Sequence, residues 1–558
     1  MFPRRKQKKK VKKALNDSNL QKALEKASNH HFEKYTHTKK EIPWDEYKEK
    51  ARAVREECVK RLPQLIQKFT EEAEKAGSFV YKVSTPQEAL SRIEEIVRQK
   101  KAKLIVKSKS MVSEEIELNS FFEKKDTKIV ETDLGEWIIQ LAEEKPSHIT
   151  APALHKTKEE VAELLTQHLG KKVPAEPKEI VKLAREEMRK HFFEADIGIS
   201  GANLAVAESG TLVIISNEGN ARLVTSLPPV HIALVTTEKF VETLEQAITL
   251  IKALIPASSG YKLTSYLSFI TGPSRTTDIE KELVIGVHGP HELHIIILDN
   301  GRLKISKDSN LNKILYCLKC GGCMLICPVF KALGGHVYGG PVYPGGIGVL
   351  LTAMTQSFKD SSFLLDFCAD CKKCEEFCPV GIPTGDLIQK LKNKRIPRPW
   401  EKTLSFFFRE KSFAERVVKV LSILQKPFQK KGYLMNLPFA WGKGKYFPAI
   451  KPPKRMKEEM KDGEKVYLFQ GCLVKFFFPE IRDSVVNSLS RSGFHVVSPP
   501  DQACCGAPSL HLGNEKDVRK LALKNIESFE KENPDYILTV CPTGNSLLKK
   551  LYPEIEPK

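Results

Sequence analysis

Eight cysteines between residues 317 and 378 constrain this chain more than any other feature of its sequence. They form two copies of the pattern C-x2-C-x2-C-x3-C-P, one over residues 317–328 and the other over residues 368–379. Three cysteines at this spacing can wrap one corner of a cubane, while the fourth points away and ligates the other cluster. The spacing therefore predicts two [4Fe–4S] clusters with crossed ligand sets. Cluster 1 would be held by Cys317, Cys320, Cys323 and Cys378, and cluster 2 by Cys368, Cys371, Cys374 and Cys327.

Zinc is the alternative ion for a cysteine-rich segment, but zinc sites usually combine two C-x2-C pairs rather than four cysteines in a row twice over.

Pro328 and Pro379 are expected to turn the chain away from the metal. Gly321 and Gly322 are expected to let the backbone approach the sulfides and to offer N–H donors. Two clusters with complete ligand sets predict an electron relay, since neither has an open iron position.

The rest of the composition indicates a globular protein of several domains. The chain has 558 residues, of which 41% are hydrophobic and 28% charged. It contains no run of 18 apolar residues that could cross a membrane, and its basic N-terminus lacks the apolar core of a secretory signal. We therefore expect a cytoplasmic protein, in which disulfides would be unusual.

The formal net charge of +20 is spread along the chain, with one cluster at residues 4–13. We interpret it as a Lys/Glu-rich solvated surface with a flexible basic arm, and peripheral contact with an anionic membrane surface stays open. No nucleic-acid-binding signature is visible. The remaining N-terminal cysteine, Cys58, is expected to be an ordinary helix residue.

The hydrophobic periodicity predicts five segments. Residues 1–75 are a basic arm with N-terminal helices, and residues 76–302 alternate short apolar runs with amphipathic stretches, which is typical of an α/β domain with an open, largely parallel sheet. Residues 307–395 form the helical two-cluster, ferredoxin-like module. Residues 396–462 are a basic linker that contains a helix, and residues 463–558 are again α/β.

Four further cysteines follow three predicted strands of the last segment: Cys472, Cys504, Cys505 and Cys541. The ends of parallel strands lie on one edge of a sheet, so these thiols should converge on one site. Their spacing resembles the cysteine-rich CCG domain of heterodisulfide reductases and their relatives, except that Gly544 replaces the fifth cysteine of that pattern. With four ligands we expect a third [4Fe–4S] cluster or a zinc ion, and a degenerate site is the remaining alternative.

The α/β block contains no dinucleotide-binding or Walker loop. Its segment 201–220 places a polar, glycine-containing turn after a buried strand, where α/β proteins bind ligands, although a plain turn explains it as well. Several stretches nevertheless resemble the lactate utilization protein B family, as do the paired cysteine motifs. They are residues 107–115, 131–136, 146–148, 208–222, 274–278 and 286–290.

This resemblance implies a LUD domain of the NagB/RpiA/CoA-transferase-like fold and an oxidoreductase component that helps to oxidise L-lactate to pyruvate. The last segment is similar to lactate utilization protein A, so the chain resembles a fusion of a B-type protein with part of an A-type protein. The implied partners are other lactate utilization subunits or a flavoprotein dehydrogenase, together with an electron carrier, because the chain has no flavin or nicotinamide motif of its own. The alternatives are a heterodisulfide-reductase-like redox component and a LUD-based ligand-binding or redox-sensing module.

Five other residues of the α/β block are candidates for binding a metal or a ligand. His288, His291 and His294 are either metal ligands or hydrogen-bonded structural residues. Glu208 and Arg275 are candidates for binding an anionic substrate or phosphate. The sequence assigns no catalytic residue.

Overall fold

The computed structural model describes residues 2–395, 398–430, 432–434, 447–452, 463–499 and 501–556. The chain divides into two units, residues 1–388 and 389–558. Within the described residues, no helix combines the length and the apolar character needed to cross a bilayer.

Four helices open the first unit: α1 (Phe2–Asn16), α2 (Ser18–Glu41), α3 (Trp44–Lys60) and α4 (Leu62–Lys75). Asp17 caps α2 by accepting a hydrogen bond from the Leu20 N–H. The basic segment 4–13, expected to be a flexible arm, instead lies in α1, where the Gln7 side chain donates to the carbonyl of Val337. Cys58 is buried in α3, as expected of a helix residue, and its thiol contacts Gln246.

Twelve strands follow in this unit: β1 (Phe79–Val83), β2 (Leu104–Lys107), β3 (Lys128–Glu131), β4 (Ile197–Gly201), β5 (Leu204–Val206), β6 (Thr211–Ser216), β7 (Val230–Thr236), β8 (Phe240–Val241), β9 (Tyr266–Ile270), β10 (Arg275–Thr276), β11 (Val284–Ile285) and β12 (Glu292–Leu298). Six of them form an all-parallel sheet in the order β1-β12-β7-β4-β2-β3. The predicted parallel sheet is thus confirmed. Two of the short apolar runs lie outside this sheet. The run 212–216 belongs to a second sheet, β8-β5-β6-β9, and the run 283–287 contributes only to the short β10-β11 hairpin.

The helices between these strands are α5 (Pro86–Gln99), α6 (Met111–Glu115), α7 (Leu118–Phe122), α8 (Leu134–Leu141), α9 (Lys158–Leu169), α10 (Pro177–Glu194), α11 (Asn220–Ser226) and α12 (Leu244–Ser259). Helices α5 to α7 pack on one face of the main sheet through residues such as Ile93 and Phe122. Helices α8 to α10 pack on the other face through residues such as Trp137 and Leu165. Both faces are covered, which explains why the strands read as continuous apolar runs.

The cysteine motifs lie in a helical region after β12. Its helices are α13 (Arg302–Ser306), α14 (Gly322–Ile326), α15 (Pro328–Leu333), α16 (Gly345–Thr355), α17 (Phe358–Ser361), α18 (Lys373–Phe377) and α19 (Thr384–Lys394). The helical character predicted for this region is confirmed.

The second unit contains helices α20 (Pro399–Arg409), α21 (Lys411–Leu424), α22 (Gly471–Phe476), α23 (Pro479–Arg491), α24 (Ala507–His511), α25 (Glu515–Glu532), α26 (Pro542–Lys550) and α27 (Tyr552–Ile555). Its strands are β13 (Gln429–Lys430), β14 (Tyr433–Leu434), β15 (Phe447–Pro448), β16 (Lys465–Leu468), β17 (His495–Val497) and β18 (Tyr536–Leu538). The last three form a parallel sheet in the order β17-β16-β18. The predicted linker helix corresponds to α21, whereas much of the predicted linker, including 435–446 and 453–462, lies outside the described residues.

Candidate metal centres and ligand pocket

The eight cysteines of the paired motifs line two neighbouring cavities. The cluster 1 cavity is lined by Cys317, Cys320, Cys323 and Cys378, together with Cys374. The cluster 2 cavity is lined by Cys327, Cys368, Cys371 and Cys374, together with Cys323. In each cavity, three cysteines of one motif meet the fourth cysteine of the other motif. This is the arrangement expected of crossed ligand sets.

The two motifs have the same local structure. Each follows a 3-10 helix, Asn312–Tyr316 or Leu364–Phe367, and each places its third cysteine in a short helix, α14 or α18. Two residues of each loop have positive φ: Lys319 and Gly321 in the first, Asp370 and Lys372 in the second. These left-handed residues curl the loop, so that cysteines close in sequence face the same cavity.

The donor set fits an iron–sulfur cluster. All thirteen cysteines of the chain are free thiols, so none of the eight is consumed in a disulfide. Burial raises the pKa of Cys317 to about 11 and that of Cys374 to about 12. A bound metal cation reverses this effect, because it coordinates the thiolate and deprotonates the sulfur. Four sulfurs around each of the two cavities therefore suit a cubane on each side.

Backbone N–H groups point at several of these sulfurs. Lys319 N donates to the Cys317 Sγ over 3.4 Å. Burial raises the pKa of Cys378, and the backbone N–H groups of Ile382 and Val380 oppose that rise. Such donors stabilise negative charge on the sulfurs, which is one of the ways in which a protein sets a cluster's potential.

The two glycines of the first motif are required by close packing against the protein. A Cβ on Gly321 would lie 2.6 Å from the His148 ring, and one on Gly322 would lie 2.3 Å from the Ala257 carbonyl oxygen. Gly322 also donates its N–H toward Cys320 and opposes the burial that raises the pKa of that thiol. Gly322 therefore supplies the expected N–H donor. The close approach that the two glycines permit is that of the backbone to His148 and Ala257.

A buried charge network joins the cluster 1 loop to the α/β region. Lys319 Nζ donates to Glu238 Oε1 over 2.8 Å, and Arg302 Nε lies 2.7 Å from Glu238 Oε2. The Arg302 guanidinium also donates two hydrogen bonds to Glu115, which accepts a further one from the Tyr343 hydroxyl. Burial raises the pKa of Glu238, but Arg302 and Lys319 outweigh burial and hold that pKa well below its usual range.

A third cavity, of about 260 Å³, lies where strands β2, β3 and β4 end, and we call it the sheet-edge pocket. Its wall includes Lys109, Asp133, Asn217, Glu218 and Lys239. Ile149 and Leu318 line both this pocket and the cluster 1 cavity. A ligand in the sheet-edge pocket would thus be separated from cluster 1 by a shared wall.

The charged groups of this pocket have shifted pKa values. Burial, reinforced by the Asp133 carboxylate, raises the pKa of Glu218 to about 7. Burial, reinforced by the charge of Lys319, lowers the pKa of Lys239 to about 7. Lys109 Nζ lies 3.4 Å from Glu136 and makes no hydrogen bond with the described residues. The pocket therefore offers a cation with unused donors beside a carboxyl group that titrates near neutrality.

The structure also places the other candidate residues of the α/β block. Glu208 accepts a hydrogen bond from the Leu244 N–H, and Arg275 donates to the Ala76 carbonyl; neither lines the sheet-edge pocket. His294 is buried and bonded to Tyr81 and Glu292, as a structural histidine would be, whereas His288 and His291 are exposed. Lys109, Asp133 and Glu218 lie within stretches that carried the family resemblance, but no role was assigned to them.

The C-terminal cysteines also meet at the carboxyl edge of their sheet. The thiols of Cys472 and Cys505 each contact that of Cys504. Cys541 is the N-cap of α26 and accepts from the Gly544 N–H over 3.5 Å. A Cβ on Gly471, which precedes Cys472, would lie 3.9 Å from the Cys541 Cβ, so the fourth cysteine is close to the other three. The four cysteines thus gather at one end of the sheet, and four sulfur donors are the set that a zinc ion or a [4Fe–4S] cluster requires.

Comparison with known proteins matches three family models to this chain. A LUD domain matches residues 66–298, a 4Fe-4S dicluster domain matches residues 313–382, and a cysteine-rich domain, CCG, matches residues 466–548. A DUF162 family protein from Deinococcus radiodurans, known from its crystal structure, covers 42% of this chain and 98% of that one with 13% identity and a TM-score of 0.23, too low to support a structural argument.

Curated relatives match over most of their length. Lactate utilization protein B of Shouchella clausii is 39% identical over 390 residues, which is 70% of this chain and 80% of that protein. The protein of the same name from Oceanobacillus iheyensis is 36% identical over 418 residues, 73% of this chain and 85% of the relative. That of Geobacillus sp. (strain WCH70) is 36% identical over 440 residues, 76% of this chain and 90% of the relative.

Proposed function

We propose, from the premise that this chain belongs to the lactate utilization protein B family, that it is the iron–sulfur electron-transfer subunit of an L-lactate-oxidising complex. The observation that carries the proposal is the pair of neighbouring cavities, each lined by the four cysteines of one crossed set. Oxidation of lactate to pyruvate releases two electrons and two protons, and a bound [4Fe–4S] cluster supplies transfer of one electron at a time.

The eight ligands are proposed as Cys317, Cys320, Cys323 and Cys378 for cluster 1, and Cys368, Cys371, Cys374 and Cys327 for cluster 2. Cys323 and Cys374 line both cavities, so the two sites are adjacent within one module. Cluster 1 is the better shielded site, since Cys320 and Cys378 are buried, whereas Cys371 of cluster 2 is exposed. Ile347 lies in the wall of both cavities. This shielding suits electron transfer rather than chemistry at an open iron.

The sheet-edge pocket is proposed as the binding place of the small organic acid. Lys109 would bind its carboxylate with the donors that the described residues leave unused, and Glu218 would hold or accept a proton. Ile149 and Leu318 would then separate the acid from the cluster 1 cavity. Companion subunits or a flavoprotein dehydrogenase, and a carrier that accepts the electrons, complete the proposed reaction.

The C-terminal cysteines are proposed to hold a third [4Fe–4S] cluster or a zinc ion. Gly544 stands where the CCG pattern has a fifth cysteine, which disfavours the unusual clusters that need five ligands. Iron, acid-labile sulfide and zinc per chain distinguish the two choices. About twelve iron atoms indicate three clusters, and about eight with one zinc indicate a structural ion.

The direct test of the proposed function is anaerobic reduction by substrate. We expect L-lactate, added with the companion subunits, to bleach the visible iron–sulfur absorbance of this chain and to yield pyruvate. Cys320→Ser combined with Cys371→Ser should abolish the bleaching that comes from the paired clusters, and any bleaching that remains would belong to the C-terminal site. Cys58→Ser is the matched control, because Cys58 is buried in α3 outside both cavities. A chain that dithionite reduces but lactate and its companions do not would contradict the proposal.

A further inference from the structure

A group of potential metal ligands lies in the first unit, apart from all twelve cysteines discussed above. Glu144, His155 and His336 each present one ligand atom, and the three atoms lie within 4.8 Å of one another. The first two lie within the loop between α8 and α9, and His336 follows α15. The two imidazole rings meet edge to face, with centroids 4.5 Å apart.

The hydrogen bonds around His155 define which ring nitrogen carries its proton. Ser147 Oγ donates its single hydrogen to the carbonyl oxygen of Pro152 over 3.0 Å. It must therefore accept from His155 Nδ1, which lies 2.8 Å away. In the neutral ring, Nε2 then carries a lone pair, and this nitrogen faces Glu144 Oε2 at 2.7 Å. Two electron-rich atoms at that distance need a proton or a metal cation between them.

His336 is oriented in a comparable way. Its Nε2 lies 2.6 Å from the carbonyl oxygen of Lys145, which can only accept, so Nε2 carries the hydrogen. The neutral ring then has its lone pair on Nδ1. Metal-bound histidines commonly donate their other ring N–H to a carbonyl or a hydroxyl, which fixes the ring and its tautomer. Both histidines have such a partner before any metal is considered.

We infer that Glu144, His155 and His336 form a binding site for a first-row divalent metal ion such as zinc, with His155 Nε2, His336 Nδ1 and Glu144 Oε2 as ligands. Two imidazoles and one carboxylate are a familiar three-ligand set for zinc. These residues border a cavity of about 820 Å³, which leaves room for water or a small ligand at the fourth position.

Other charged groups also face this site. The Lys156 ammonium pairs with Glu144 Oε1, the carboxylate oxygen that does not face His155. Lys10, Lys13, Asp17, Lys145 and Glu160 also line the cavity. Lys156 would hold Glu144 as a one-oxygen ligand, and its positive charge would weaken the affinity for a cation.

The test is a zinc titration of the full, cluster-loaded chain under anaerobic conditions, with zinc and iron measured together. We expect His155→Ala and His336→Ala each to bind one zinc ion fewer than the unmodified chain, with unchanged iron. His168→Ala is the control, since His168 is exposed and packs against Trp137. The comparison is a difference between variants, so a zinc ion in the C-terminal site does not affect it. Equal zinc in His155→Ala and the unmodified chain would overturn the assignment.

A charge variant separates a metal site from a simple ion-pair cluster. Lys156→Met removes the competing ammonium and leaves the three ligands in place, so zinc should bind more tightly, by about tenfold or more at an effective dielectric constant near 20. His155→Gln is a second substitution, which removes the imidazole but keeps a polar side chain of similar size. It replaces His155→Ala if that variant does not fold. Unchanged zinc affinity in Lys156→Met, or full zinc binding in a folded His155→Gln chain, would contradict the site.

Discussion

Lys319 lies between two cysteines of the first motif, and its Nζ donates to Oε1 of Glu238 over 2.8 Å. Glu238 belongs to the short 3-10 helix after β7, 81 residues away in the chain. The contact thus joins the cluster 1 loop to the carboxyl end of β7, an inner strand of the parallel sheet. It also places a positive charge, partly balanced by a buried carboxylate, beside the cluster 1 cavity.

Lys319→Met should lower the reduction potential of cluster 1. Reduction adds negative charge, which a nearby ammonium favours. Without the ammonium, the Glu238 carboxylate next to the loop loses one of its positive partners and keeps Arg302. We expect a shift on the order of tens of millivolts, measured by an EPR-monitored redox titration. Lys319→Arg keeps the charge and should shift the potential less. A potential that rises in Lys319→Met would contradict this account.

Arg302→Met should destabilise the first unit strongly. Arg302 is fully buried and pairs with both Glu115 and Glu238, so its removal leaves two carboxylates in the interior without this partner. Breaking a buried ion pair in this way typically costs about 3–5 kcal/mol. The check compares its thermal unfolding with that of Arg92→Met, which removes a half-exposed i,i+3 pair with Glu95 in α5. Comparable melting temperatures in the two variants would show that the network contributes little.

Binding of a small carboxylate in the sheet-edge pocket should weaken as the pH rises through 7. The pKa of Glu218 is raised to about 7, so this group is largely neutral below that pH and repels an anion above it. Well above the pKa, the affinity should fall by up to about tenfold per pH unit. Equilibrium binding of L-lactate or pyruvate on either side of neutrality measures the effect.

Glu218→Gln should make this dependence weaker, because glutamine does not ionise. The part that remains would come from Lys239, whose pKa is lowered to about 7 and which loses its positive charge over the same range. Glu208→Gln is the matched control, since Glu208 lies outside the pocket and bonds to the Leu244 N–H. An equal pH dependence in the Glu218→Gln chain would locate the titrating group elsewhere.

Gly322→Ala should disturb the cluster 1 loop by overpacking. The new methyl group would lie 2.3 Å from both the Ala257 carbonyl oxygen and the Phe377 ring, contacts that force the loop or α18 to move. Such overpacking typically costs about 1–3 kcal/mol. We expect a lower melting temperature and less iron per chain.

Gly170→Ala provides the comparison for that prediction. Gly170 ends α9 with a positive φ of 65°, yet nothing lies within 4 Å of a Cβ there. This variant adds backbone strain at a site remote from the cysteines and should retain its iron. Full iron content in Gly322→Ala would show that the loop accommodates the methyl group without losing the cluster, and would contradict the prediction.

The sequence predicted those features that depend on local spacing. The crossed cysteine sets follow from two short motifs, and six strands of the main sheet follow from their apolar runs. The Lys319–Glu238 contact could not be predicted in this way, because tertiary packing alone brings together residues so far apart in the chain. The same holds for His155 and His336, which lie in different segments and have no characteristic spacing.

Other differences have a physical cause as well. The segment 4–13 is strongly basic and was expected to be flexible, but it lies within α1, and the neighbouring Ala14 is buried. Lys and Arg are good helix formers, and tertiary contact offsets the repulsion between their like charges. Glu208 and Arg275 were candidates because of their charge, yet both are used in bonds to the backbone. Charge alone does not distinguish a ligand-binding residue from a side chain that forms hydrogen bonds with the backbone of a loop.

The central claim is that the two ligand sets cross, and single-cysteine variants read by EPR test it most directly. Cys378 belongs to the second motif but lines the cluster 1 cavity. Cys378→Ser should therefore perturb the same cluster signal as Cys320→Ser, and Cys327→Ser the same signal as Cys371→Ser. If Cys378→Ser instead perturbed the signal that Cys371→Ser affects, each motif would hold its own cluster and the crossed assignment would be wrong.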